Sequence, residues 1–125
     1  MKVFNHRDVE AEDVGEGAFR VRVKWLIDEK VGAENFAMRL FEVEPGGYTP
    51  CHKHPWEHEV FVLEGDGVVV GVDGENKITK GSVVFIPPNE KHQFRNVSDK
   101  ALKFLCLIPL RKRLSSPRSE TAGFL

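Results

Sequence analysis

The stretch Gly46-Gly47-Tyr48-Thr49-Pro50-Cys51-His52-Lys53-His54-Pro55-Trp56-Glu57-His58 holds three of the chain's five histidines. A fourth, His92, lies inside Pro87-Pro88-Asn89-Glu90-Lys91-His92-Gln93-Phe94. Clustered imidazoles are costly to bury unless something satisfies them, and histidine is the commonest side chain to bind a metal. Successive strand residues face opposite ways, so His52 and His54 share a face and His58 has the same parity. Pro55 and Trp56 interrupt that alternation. His92 opens the strand after the Pro87-Pro88 turn, from where it faces the other three across a closed barrel. This spacing predicts a metal site.

Period two dominates on either side of these stretches. Phe19, Val21, Val23, Trp25 and Ile27 alternate with Arg20, Arg22, Lys24 and Leu26, a strand with one apolar and one mostly basic face. Strands are also expected over Phe36 to Val43 (stopped by Pro45-Gly46-Gly47), Glu59 to Leu63, Val68 to Val72, Asn76 to Lys80, Val83 to Ile86, His92 to Val97 and Ala101 to Ile108. Glu64-Gly65-Asp66-Gly67 is a turn signal and Asp73-Gly74 a hairpin signal. No segment has a helical period. Many short strands punctuated by Gly and Pro predict an all-β sandwich or barrel, whose closure removes exposed edges.

The two histidine stretches resemble the paired motifs of the cupin family. Its first motif is Gly, five residues, His, one residue, His, three or four residues, Glu, six residues, Gly. Here Gly46, His52, His54, His58 and Gly65 stand at that spacing, with His58 where the family has Glu. The second motif is Gly, five residues, Pro, one residue, Gly, two residues, His, three residues, Asn. It is matched by Gly81, Pro87, Asn89 (in place of Gly), His92 and Asn96. Asn tolerates the left-handed backbone that such a Gly supplies. Glu59 fills the glutamate position only in the longer spacing, and both parity and the step to Gly65 favour His58. The resemblance implies a single β-barrel of the double-stranded β-helix, jelly-roll type over residues 1–110. Residues 111–125 are left as a polar C-terminal tail. It also implies one divalent metal per chain held by His52, His54, His58 and His92, as in small manganese cupins. Fe, Ni, Cu and Zn are also compatible with imidazole ligands.

Four neutral ligands leave two positions open on an octahedral ion and its full charge in place, which favours anionic ligands. The expected function is therefore metal-dependent oxidoreduction of a small organic substrate, of dioxygenase type. An isomerase or lyase and a non-catalytic small-molecule binder are the alternatives. With Lys103 outward, Leu102, Phe104, Cys106 and Ile108 turn inward, and Phe94 shares a face with His92. Phe94, Phe104, Cys106 and Ile108 are thus expected to wall the substrate pocket, with Cys106 exchangeable for an apolar residue. Arg39 is either an outward charge, the reading preferred from Met38 and Leu40, or a substrate-anchoring cation. Glu57 and Glu90 are candidates for orienting the ligand imidazoles.

A chain of 125 residues suits one domain. Its 18 basic and 19 acidic residues argue against a dedicated nucleic-acid partner. The tail carries Arg111, Lys112, Arg113 and Arg118 against Glu120, a net of +3, which leaves −4 on the rest of a chain whose total is −1. Cys51 and Cys106 fit two reduced thiols in a cytoplasmic protein. No apolar run is long enough to span a membrane, and no apolar signal core opens the chain. A homodimer paired through the apolar strand Phe19 to Ile27 is expected.

Overall fold

The computed structural model describes residues 1–110; the predicted tail, 111–125, lies outside the described residues. Among the described residues a short 3-10 turn at His6–Asp8 precedes nine strands. These are β1 (Glu12–Asp13), β2 (Phe19–Ile27), β3 (Phe36–Tyr48), β4 (His58–Glu64), β5 (Asp66–Gly71), β6 (Gly74–Thr79), β7 (Val83–Ile86), β8 (Gln93–Arg95) and β9 (Leu102–Pro109). They form one curled sheet in the order β6-β5-β8-β3-β9-β4-β7, with β2 on β3 and β1 on β2. The ladders are antiparallel throughout. This is the all-β barrel that the periodicity predicts, of the jelly-roll type that the resemblance implies. Among the described residues no helix is long and apolar enough to cross a membrane.

Alternation decides which side chains enter the barrel. On β9, Leu102, Phe104, Cys106 and Ile108 are buried, while Lys103, Leu105 and Leu107 lie on the outer side. The register sets Phe104 opposite Phe41 on β3 and Val62 on β4. Phe104 then stacks between Phe41 and Phe94, at centroid distances of 5.2 and 4.5 Å. Buried aromatics of this kind dominate a core's energetics. The outer faces of β4 and β7 stay apolar and open, at Phe61, Val83 and Phe85.

The expected stop at Pro45-Gly46-Gly47 is not found: β3 continues through it to Tyr48. The pairing with β2 jumps from Val21↔Val43 to Phe19↔Tyr48, so a bulge absorbs the extra residues. Proline is tolerated at such an irregularity. Gly47 is required there, because a Cβ would lie 2.7 Å from the Phe19 carbonyl oxygen and 2.9 Å from that of Arg20.

Asn96 performs structural work. Its Nδ2 donates to the carbonyls of Val43 (2.8 Å) and Lys100 (2.7 Å), and its Oδ1 accepts from Ser98 N and Oγ. It is 2% exposed, so no water replaces those bonds. Asn96→Ala should lower the free energy of unfolding by about 2–4 kcal/mol, since it strands buried carbonyls. Urea denaturation reads this as a lower midpoint with an unchanged slope, and a midpoint equal to wild type would refute the assignment.

Candidate functional site

Backbone pairing joins the two histidine stretches. His52 and His92 form an isolated antiparallel bridge, with His52 N donating to the His92 carbonyl (3.1 Å) and the reverse bond at 2.9 Å. Asn89 adopts the left-handed φ of +68° expected for a residue in a glycine position, and its N–H donates to the His54 carbonyl. The turn before His92 is thereby fastened to the segment carrying His54. His58 opens β4, opposite Ile86 of β7.

The four imidazoles consequently gather at one end of the barrel. Centroid separations are 4.7 Å for His58–His92, 5.4 Å for His54–His58, 5.9 Å for His52–His54 and 6.2 Å for His54–His92. His54, His58 and His92 are buried and His52 is half-buried. Trp56, which the sequence reading left without a role, stacks on His54 at 4.8 Å with the rings 4° from parallel. Phe94 meets the edge of His92 at 6.4 Å.

Burial disfavours the charged form of His52, His54 and His58. His54 is lowered to about 4, first by desolvation and then by His92, His52 and Arg39. His58 is lowered to about 2, by desolvation and then by the Arg39 guanidinium, His92 and His54. His52 is lowered by burial and by His92. Neutral imidazole is the form that ligates a metal.

The nitrogen partners bear on whether a metal fits. His92 Nδ1 lies 2.9 Å from the Glu90 carbonyl oxygen. A carbonyl only accepts, so Nδ1 carries the proton and Nε2 presents a lone pair. The Nε2 atoms of His54 and His58 are buried without a hydrogen-bond partner. Such orphaned buried nitrogens call for an explanation, and an ion is one. Among the described residues no three His, Cys, Asp or Glu side chains already stand in a coordinating arrangement. The donor set fits a divalent ion in chemistry and burial.

Several expected roles are relocated. Arg39, preferred as outward from Met38 and Leu40, is wholly buried. Ala37, Phe41 and Val43 share its parity and face the core, so the whole of β3 is turned the other way. Its guanidinium lies 5.4 Å from the Trp25 ring and 5.0 Å from Phe41, and Nη2 donates to Cys106 Sγ at 3.1 Å. Cys106 Sγ in turn lies 3.5 Å from His58 Nδ1, a polar environment that the wall reading omits. Phe94 and Phe104 form a packed floor below the imidazoles, and Ile108 is buried beside them. The Glu90 carboxylate accepts from Val72 N through Oε2 (3.2 Å), and it is the Glu90 main-chain carbonyl that meets His92 Nδ1. Glu57 and exposed Glu59 line an outer groove of about 520 Å³ with Phe36, Trp56, Pro88 and Ile108. Trp56 links that groove to the imidazole cluster, through its stack on His54.

The family model described as "Cupin domain" matches residues 39–108. The solved structure of the polyketide cyclase RemF from Streptomyces resistomycificus is 38% identical, with a TM-score of 0.81, over 87% of this chain and 79% of that one. A 1-methylthio-D-xylulose 5-phosphate methylsulfurylase from Rhodospirillum rubrum is 37% identical over 71 residues, 57% of this chain and 46% of that protein. The HTH-type transcriptional activator RhaR of Escherichia coli K12 is 27% identical over 94 residues, 75% of this chain and 33% of the activator. The chain spans about half the length, or less, of the curated relatives it matches.

Proposed function

We propose, from the premise that this chain belongs to the cupin domain family, that it is a metal-dependent enzyme acting on a small organic substrate. His52, His54, His58 and His92 would hold one divalent ion, with manganese first in order. The observation that carries this reading is the pair of buried, partnerless Nε2 atoms on His54 and His58 beside His92, whose Nδ1 is already committed. When bound, the ion supplies Lewis acidity toward the oxygen atoms of a substrate. The chain's own residues supply the surroundings. The Phe41–Phe104–Phe94 stack excludes water from below. Trp56 holds the His54 ring flat, and Arg39 adds a buried positive charge that favours an anionic substrate form.

Two reactions suit such a site. Dioxygen-dependent oxidation follows from a set of neutral ligands with no carboxylate among them. Ring closure or isomerisation through an enolate is favoured by the likeness to a polyketide cyclase, which extends over most of both chains. Elemental analysis of the purified protein should find about one divalent metal per chain. Turnover of small 1,3-dicarbonyl and enol substrates under argon then separates the reactions. Undiminished anaerobic turnover selects the cyclase-type reaction, and loss of turnover selects the oxidative one. Tight binding of such compounds with no turnover in air or argon would overturn the enzymatic reading.

A further inference from the structure

The sheet register brings three unlike side chains into contact inside the barrel. Cys106 on β9 stands opposite Arg39 on β3 and opposite Val60 on β4. His58, two residues before Val60, is its diagonal neighbour on the same face, within reach of a side-chain contact. The result is a buried line from the Arg39 guanidinium (3.1 Å) through Cys106 Sγ to His58 Nδ1 (3.5 Å). Trp25 and Phe41 clamp the guanidinium at one end. All three residues of the line are at most 2% exposed.

Guanidinium is donor-only and always charged, so the sulfur accepts from Arg39. Toward His58 the sulfur either donates its S–H or accepts an N–H. If it donates, the neutral imidazole carries its proton on Nε2. That proton would be a buried donor without an acceptor, since Nε2 has no partner, at a cost of about 1–3 kcal/mol. If it accepts, Nδ1 carries the proton, and the groups left unpaired are an Nε2 lone pair and the weak S–H of the thiol rather than a strong ring N–H. The neighbouring His92 is held in that second state by the Glu90 carbonyl. At His58 Nδ1 the Cys106 sulfur occupies the place that the Glu90 carbonyl holds at His92.

We propose that Cys106, anchored by Arg39, is a positioning residue that fixes His58 as the Nδ1–H tautomer and so keeps its Nε2 lone pair directed into the cluster. Partners on the far nitrogen of an imidazole set its tautomer, its orientation and its basicity as a ligand. Only the affinity measurement below rests on the metal-centre reading; the tautomer does not.

Long-range ¹H–¹⁵N correlation spectra of metal-free wild-type protein report the tautomer directly. Nδ1 of His58 should show the shift of a protonated, pyrrole-type nitrogen and Nε2 that of an unprotonated one. In Cys106→Ala the preference should weaken or invert, and in Cys106→Ser it should persist. Mn²⁺ and Zn²⁺ affinity, measured by competition with a chelating dye, should fall about 10- to 100-fold in Cys106→Ala. It should stay within a few-fold of wild type in Cys106→Ser, which restores an acceptor. An Nε2–H tautomer in the wild-type protein would overturn the proposal, as would an alanine variant that binds both ions like wild type. If wild type takes up neither ion, the metal-centre reading fails, while the spectra still decide the role of Cys106.

Discussion

Purified His58→Ala protein should carry little divalent metal under conditions that saturate wild type, whereas Glu59→Ala should carry a full complement. The two residues are adjacent, and each is a candidate for the position where the family's first motif has glutamate. Their surroundings separate them. His58 is 1% exposed, its Nε2 has no hydrogen-bond partner, and its ring lies 4.7 Å from that of His92. Glu59 has the opposite parity, pairs with Phe85 and Leu107, and is exposed on the outer groove. Altering a residue that merely supports a ligand costs about 10- to 100-fold in affinity, so deleting a ligand should exceed ~100-fold. His58→Gln, closer in volume, guards against a cavity artefact, and circular dichroism of each variant checks that the barrel persists. Metal loss in Glu59→Ala with retention in His58→Ala would install the ordinary three-histidine, one-glutamate site and remove the basis for the oxidative reaction.

Parity arguments carry as far as the parity is unbroken. Leu102, Phe104, Cys106 and Ile108 turn inward as expected because Lys103 alternates with them along an unbroken strand. Arg39 is misjudged because Met38 and Leu40 look apolar on the other face, and Leu40 is indeed buried, beneath β2. Glu42 and Glu44 carried the better signal: charged residues at that parity send Phe41, Val43 and Arg39 into the core. The bulge at Pro45-Gly46-Gly47 was hidden for a different reason. Pro and Gly mark a stop and a bulge alike, and only the partner strand, with Phe19 and Arg20 pressed against Gly47, distinguishes them. The Cys106–His58 contact depends on the register between β9 and β4, which no local pattern specifies. The four imidazoles were readable as a set since their spacing is local on one stretch, with a single recognisable turn before His92.

Acidification should destabilise the metal-free protein well before its carboxylates protonate. His54 and His58 are held neutral when folded, lowered from 6.5 to about 4 and about 2. In the unfolded chain both take up protons as pH falls through about 6.5. Below that pH the unfolded state binds more protons than the folded one, so the free energy of unfolding falls with pH. Above about 6.5 neither state is protonated at these positions and the penalty vanishes. Each group contributes up to about 1.4 kcal/mol per pH unit, and both act between pH 6.5 and about 4. The loss by pH 4 is on the order of 5 kcal/mol, comparable with the whole stability of many small domains. Urea midpoints of chelator-treated protein at pH 7.5, 6, 5 and 4.5 measure it. The double variant His54→Gln, His58→Gln should give a flatter profile, which assigns the slope to these two rings rather than to surface groups. Equal midpoints at pH 7.5 and 5 in the wild type would mean that the imidazoles accept protons in place, and the dry, neutral cluster on which ligand competence depends would not exist.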